Sequence, residues 1–293
     1  MKTQYAELLK TLLTVPGMMA ECFNGNGYKL SFRNIMLGAL ECRHRLGLPA
    51  GPIMSAKRWL DDFGRTIKPS ELEPVRIGEN GRTVHTRAIS LIKPELYKKR
   101  HGYPNGPYMK DSNGKVLYGR TFRAIAAFWC LAQTEGKPYV RPPLANFSFT
   151  KALKKLKIAE VPFEHSSASV QGYAKGRDIA ISDLAIAPDH VRLHELGHIV
   201  LGHTHDPLAV ISSETDRPPR GLRELEAEAV AMLAADSLGL ATKESLSSSR
   251  AYIQAWYRDG KAVPEDSARK IIKATDAILK AGGPAAARKG GRS

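Results

Sequence analysis

The sequence predicts an α+β protein of two domains, and three observations lead there. Apolar residues recur at helical spacing near both ends of the chain. β-Branched residues gather between Pro74 and Tyr97. Gly136-Lys137-Pro138 and Arg141-Pro142-Pro143 punctuate the chain near its middle. The expected division is a mixed α/β domain over 1–140, a second domain over 141–281, and a tail over 282–293. That tail lacks bulky residues to bury and reads as disordered.

The elements follow in order. Tyr5, Leu8, Leu9, Leu12 and Leu13 give an amphipathic helix that Pro16 and Gly17 end. Asn24-Gly25-Asn26-Gly27 reads as a polar turn. Ser31 is a plausible N-cap for a helix from about Phe32 to Leu46, and Gly47 a stop. A short helix around Ser55–Phe63 carries Lys57, Arg58 and Trp59. Val75, Ile77, Val84, Ile89 and Ile92 then argue for strands, with more expected at Lys115–Tyr118 and Arg120–Leu131. Between them, Lys98–Gly114 reads as a long basic loop. Beyond the boundary, Phe149–Ile158 is helical in pattern and Ala159–Glu164 extended. Val170–Tyr173 and Asp178–Ser182 form a hairpin, in which Ile179-Ala180-Ile181 is a candidate edge strand for an extended peptide. Helices are expected over 189–203, from Gly221 to Ser237, near Lys243–Tyr257 and near Pro264–Lys280.

Composition narrows the function. The 293 residues carry a formal net charge of +15. Residues 1–150 hold 23 Lys and Arg against 11 acids, and 16 of the 21 aromatic residues. Such a unit suits single-stranded nucleic acid, where cations follow phosphates and rings stack on unpaired bases; duplex DNA would bind more weakly. Lys29, Arg33, Arg43, Arg45, Lys57, Arg58 and Trp59 are the candidate contacts. No run nears the roughly 20 apolar residues that cross a bilayer. The N-terminus shows no signal-peptide pattern, so a cytoplasmic protein is expected. Cys22, Cys42 and Cys130 lack metal-site spacing and read as reduced thiols.

The most specific string is His194-Glu195-Leu196-Gly197-His198. On a helix, residues i and i+4 share a face, so both imidazoles can grip one metal ion, while Glu195 reaches a water on it. Zinc is the expected ion and manganese the alternative. A catalytic site needs a third protein ligand. The pattern H-E-x-x-H-x-x-G-x-x-H would put a histidine at 204, where this chain has Thr204, with His203 one residue early. A glutamate from a second helix is the better source. Glu224 and Glu228 share a face at i, i+4, with Glu224 taken as ligand and Glu228 as the acid orienting a histidine, the reverse being the alternative. Glu226 lies on the far side and reads as a solvated residue. His203, His205 and Tyr173 are candidates for oxyanion or substrate contact.

These residues carry a resemblance. The strings GYAKGRDIAIS, RLHELGHIVLGH and LRELEAEAVAMLAADSLGL are similar to the zincin-like metallopeptidase domain of ArdC-type antirestriction proteins, which is related to the ImmA/IrrE peptidases. The first half resembles the single-stranded-DNA-binding domain of the same proteins and of TraC-type plasmid primases. There the likeness rests on Tyr28, Arg33 to Leu37, Met54 to Leu60 and Val75-Arg76-Ile77. Two departures stand out: Lys68-Pro69-Ser70-Glu71 replaces a Gly-Glu-Lys-Gly turn, and 98–114 is a longer insertion. The resemblance implies a plasmid antirestriction protein that binds single-stranded DNA entering by conjugation and carries a metal-dependent protease site, with restriction or DNA-bound proteins as substrates. Two alternatives stay open. One is a DNA-binding protection protein whose zincin-like domain is a metal-stabilised scaffold. The other is a regulatory peptidase that cleaves a repressor.

Overall fold

A computed structural model describes residues 5–14, 18–26, 30–78, 81, 83–101, 106–142, 146–165, 167, 169–204, 218–242, 247–249, 251–253, 255 and 262–284. The fold is α+β. The helices are α1 (Tyr5–Thr14), α2 (Met18–Asn26), α3 (Phe32–Leu40), α4 (Ala56–Phe63), α5 (Pro69–Leu72), α6 (Phe149–Leu156), α7 (Pro188–Leu201), α8 (Arg220–Leu238) and α9 (Glu265–Gly282). The strands are β1 (Ile53–Met54), β2 (Arg65–Ile67), β3 (Val75–Ile77), β4 (Thr83–His85), β5 (Ile89–Lys98), β6 (Tyr118–Cys130), β7 (Thr134–Gly136), β8 (Ala159–Glu160), β9 (Gly172–Lys175) and β10 (Asp178–Ile181). None of the described helices is long and apolar enough to cross a membrane.

The chain forms two compact units, one of residues 1–40, 50–53 and 140–293, the other of residues 41–49 and 54–139. The chain divides at 139/140, where the sequence placed a boundary, but residues 1–40 group with the C-terminal half rather than with the expected first domain. The reason is visible at three helix starts, whose backbone N–H groups have no partner within their own helix. Tyr5 and Ala6 donate to the Glu265 carboxylate at 2.9 and 3.0 Å. Met19 donates to Asp236 at 3.1 Å. Phe32 donates to Asp276 at 2.9 Å. Carboxylates from α8 and α9 thus cap α1, α2 and α3 and complement their dipoles. The apolar faces follow, and Leu9, Met19, Phe23 and Ile35 join Leu196, Val230, Leu233 and Ile278 in one core.

In this unit α8 packs against α7, α2 and α9. It is buried on nearly all sides, from Leu225 to Leu238. A small sheet runs β8-β10-β9, with β10 parallel to β8 and antiparallel to β9. The hairpin is therefore as expected, but β9 is the edge and the Ile179-Ala180-Ile181 strand is central.

The second unit is built on the β5–β6 hairpin, paired without a break from Ser90↔Ala126 to Lys98↔Tyr118. The bridges Arg100↔Tyr108 and Lys110↔Val116 carry the ribbon onward, so much of the expected 98–114 loop is extended pairing instead. Trp59 on α4 is buried and donates its indole N–H to the Trp129 carbonyl at 2.9 Å. Ser55 caps that helix and Gly64, at φ 62°, ends it.

Other expectations shift locally. Asn24, Gly25 and Asn26 end α2 rather than forming a free turn, and α3 stops at Leu40 before a π-helical turn over Glu41–Arg45. The strand expected at 120–131 is β6, which starts at Tyr118, whereas 115–117 contribute only the Val116 bridge to Lys110. Of the helix expected at 243–257, the described residues 247–249 and 251–253 are helical. Residues 285–293 of the expected tail lie outside the described residues, while Gly282 ends α9 and is buried.

Candidate metal centre

Pro188 at the first turn starts α7, and its HELGH segment faces α8. Gly197 allows the close approach: a Cβ there would sit 3.3 Å from both the Cα and the carbonyl oxygen of Ala227. The glycine and alanine inside the two motifs therefore let ligands from two helices converge. The Nε2 atoms of His194 and His198 lie 3.1 Å apart, and Glu224 Oε2 is 3.5 Å from each. An ion with bonds of about 2.0–2.1 Å in tetrahedral geometry holds its ligand atoms roughly 3.3 Å apart. The three donors fit such an ion, and they form a cluster of metal-ligand type among the described residues.

Each imidazole is oriented from behind. His194 Nδ1 is 2.8 Å from Glu228 Oε2, so its N–H donates there and its Nε2 lone pair faces the site. Glu228 also takes the Ser249 hydroxyl and lies 3.0 Å from His190 Nε2. On the other side, Gly202 at φ 79° closes α7 and turns the chain back. The His203 amide then donates to the His198 carbonyl at 2.8 Å, and the two Nδ1 atoms come within 3.1 Å. His203 Nε2 is 2.7 Å from Glu226 Oε2. Donation from His203 to Glu226 leaves its Nδ1 as acceptor for the His198 N–H, which frees His198 Nε2 for a metal.

This arrangement bears on two sequence readings. Glu226 is not solvated but 1% exposed, because the far side of α8 is itself covered. His203 is buried and engaged with His198 and Glu226, so it stands behind the His198 imidazole while also touching the wall of the same cavity. Tyr173 on β9 lines the cavity in front of the donors as well. His205 lies outside the described residues. Sequence reading missed His190, although it sits one helical turn before His194. It also missed Ser249 and Tyr252, which come from a separate segment.

The electrostatics follow from burial and carboxylate density. Burial pushes the Glu195 carboxyl up, as a proton-accepting group near neutral pH requires. Burial alone would lower His194, but the Glu224 and Glu228 carboxylates outweigh it and push its imidazolium up to about 10. Hydrogen bonds from His194 and His198 hold Glu224 well below the ordinary carboxylate range. Glu228 is depressed as well, its burial outweighed by His190 and His194. Burial lowers His203, which keeps it neutral for the relay described above. Burial raises the Tyr252 hydroxyl, with the nearby Glu224 and Glu228 charges adding to it.

Two cavities meet at Gly172, His194 and Glu195. One, about 470 Å³, has a largely apolar wall of Ile186, Ala187 and Val191. The other, about 1200 Å³, is bordered by β9, His198 and Glu224. A Cβ on Gly172 would lie 2.5 Å from Val191 Cγ1 and 3.4 Å from Glu195 Cγ, so glycine lets the edge strand reach the motif helix.

The DNA-contact candidates are less concentrated. Lys29 lies outside the described residues. Trp59 is core, so it offers no face to a base. Arg45 is tied to Glu41 and to the Thr86 and Ala88 carbonyls, Arg58 to Asp62, and Lys57 to Asp61. Arg43 is exposed, and Arg33, in the other unit, sits over the Tyr5 ring.

No protein-family model matches the chain, and no curated protein does. Two solved structures are similar along nearly its full length. The metal-free crystal structure of the antirestriction protein ArdC from the R388 plasmid is 14% identical, with 95% of this chain and 94% of that one covered and a TM-score of 0.47. The Mn(II)-bound structure of the same protein is 12% identical, covers 96% and 98%, and has a TM-score of 0.42.

Proposed function

We propose that the protein is a divalent-metal-dependent peptidase joined to a single-stranded-DNA-binding unit, acting in plasmid antirestriction. The observation that carries the peptidase reading is the triangle of His194, His198 and Glu224 with Glu195 beside it in an open cleft. Two imidazoles and one carboxylate suit zinc. A divalent ion held there would supply Lewis acidity to the scissile carbonyl and to a water. Glu195 takes the proton of the attacking water and passes it to the leaving amine. Glu228 and the Glu226–His203 pair keep the two imidazoles in the tautomers that leave Nε2 free. The β9 edge offers an extended peptide its backbone groups beside Glu195.

The DNA reading is supported by the β5–β6 ribbon rather than by Trp59. Its register puts Pro94, Leu96 and Lys98 on one face with Tyr118 and Phe122 across from them. Leu96 is 65% and Phe122 62% exposed. Lys98 and Arg100 flank Tyr108, 5.0 and 4.1 Å from its ring centroid. Exposed rings between cations are what unpaired bases and their phosphates require. The antirestriction setting comes from the sequence resemblance and accounts for both activities in one chain.

The deciding experiment compares wild type with Glu195→Ala, both metal-loaded, on a denatured-protein substrate and in a conjugation-protection assay. Cleavage by wild type alone, with metal content equal, supports the peptidase. Equal protection by both proteins would assign protection to binding rather than proteolysis.

A further inference from the structure

The larger cavity has a charge character that metal binding does not require. Lys175, Arg177, Arg220 and Arg223 line it, and none of them pairs with a carboxylate among the described residues. Arg177 donates to the Leu156 and Lys157 carbonyls and to no carboxylate among the described residues. Arg223 is the most pointed case. Among the described residues its Nε is buried without a partner, and Nη1 has one long contact, 3.4 Å, to the His203 carbonyl. A half-buried, under-bonded guanidinium gains from an anion beside its remaining N–H groups, and a carboxylate can take two of them in parallel hydrogen bonds. Facing these cations, Asp178 is exposed and Glu224 is turned to the histidines.

We propose that this cavity selects acidic peptides, an Asp or Glu side chain being seated by Arg223 with help from Arg220. The proposal rests on the peptidase reading of the same cleft. A peptide fits better than a phosphate strand because β9 forms the adjoining edge, and its N–H and C=O groups match a peptide backbone. Arg223 precedes the ligand Glu224 on α8, so the selected carboxylate would sit beside the reacting bond. It is a specificity-determining residue in this scheme, not a group that moves a proton.

The test uses the full-length, metal-loaded Glu195→Ala protein, which cannot turn over its ligand in the proposed mechanism. Two fluorescein-labelled octapeptides, alternating Ala-Glu and alternating Ala-Gln, are titrated by anisotropy at fixed salt. The Glu peptide should bind about tenfold tighter or better, as one charge-assisted bidentate contact implies. Arg223→Met, which keeps the aliphatic stem, should erase most of that preference while metal content and Gln-peptide affinity stay unchanged. Equal affinities, no binding of either peptide, or a preference that survives Arg223→Met would overturn the proposal. So would an oligo-dT strand binding with the same dependence on Arg223, since the cavity would then belong to nucleic acid. Wild-type cleavage of both peptides at one rate would sink the selectivity and leave the peptidase standing. A Glu preference in binding without any cleavage would do the reverse.

Discussion

The unit with the candidate metal centre and the hairpin unit handle charge in opposite ways. In the first, Glu226, Glu228 and Glu195 are buried or nearly so, and Glu226 and Glu228 are matched to named donors. In the second, Lys93, Lys98, Lys99, Arg100 and Lys110 are exposed along a ribbon. Buried pairs fix geometry and are screened little by salt, whereas exposed cations create a field that salt weakens. One unit can therefore act through positions of atoms and the other through potential. Perturbations that separate geometry from field should separate the two proposed activities.

The largest expected effect is at Glu195. Glu195→Ala should lower peptide cleavage by about 10²–10⁴-fold, the usual contribution of a positioned proton acceptor. Metal content, read by elemental analysis, should not change, because Glu195 is not one of the three clustered donors. DNA affinity should not change either. A variant that loses its metal would show Glu195 to be part of the ligand set.

Next is the layer behind the ligands. Glu228→Ala removes the acceptor for His194 and His190 and should weaken metal affinity about 10–100-fold. Competition with a chromophoric chelator reads it directly. Affinity should also depend on pH with a defined sign. Without metal, His194 holds its proton up to about pH 10, so an ion must displace that proton. Affinity should therefore rise with pH through the neutral range. The metal-free protein should show the opposite trend in stability. A histidine raised above its unfolded value of about 6.5 contributes fully below that pH and loses its contribution as pH rises towards 10. Flat thermal stability of the metal-free protein between pH 6.5 and 10 would remove the His194 ion network from the account.

What could be read in advance divides by how local the cause is. His194, Glu195 and His198 were legible because one helical turn sets their relation, and Glu224 and Glu228 likewise. Glu226 was misread because helical spacing tells which side a residue is on, not whether another helix covers that side. His203 was legible as out of register for a ligand, but its position behind His198 depends on the Gly202 turn and on Glu226 from a distant helix. Trp59 illustrates the same limit in the hairpin unit, where a tryptophan between cations looked like a stacking surface and proved to be core. The grouping of residues 1–40 was not legible for a similar reason: the caps of α1, α2 and α3 come from residues more than 200 positions away.

On the field side, Phe122→Ala should weaken single-stranded DNA binding by about 1–3 kcal/mol if one base stacks there. The salt dependence should keep its slope, because no cation is lost. Lys98→Ala should do the converse, reducing the slope of log K against log salt by about one contact and costing less at high salt. An oligo-dT anisotropy series from low to high salt reads both. If Phe122→Ala changes the slope but not the high-salt affinity, the ribbon is a charged surface without stacking.

The smallest effect tests why the first 40 residues belong with the unit that has the candidate metal centre. Asp276 accepts from the Phe32 amide at 2.9 Å and also pairs with Lys280 on its own helix. Asp276→Ala should cost about 1 kcal/mol in urea unfolding, the usual loss for a helix cap. Asp276→Asn keeps an acceptor for the amide and gives up the charge, so it should recover most of that loss. Equal destabilisation by both would mean that the Lys280 pair and the helix dipole matter, and the amide bond does not. Recovery by asparagine would tie α3 to α9 through one hydrogen bond between segments 244 positions apart. Such a bond adds little energy to a core this size, but it fixes which helix start sits against which helix. That would explain how an N-terminal stretch with its own amphipathic pattern is recruited into the unit with the candidate metal centre.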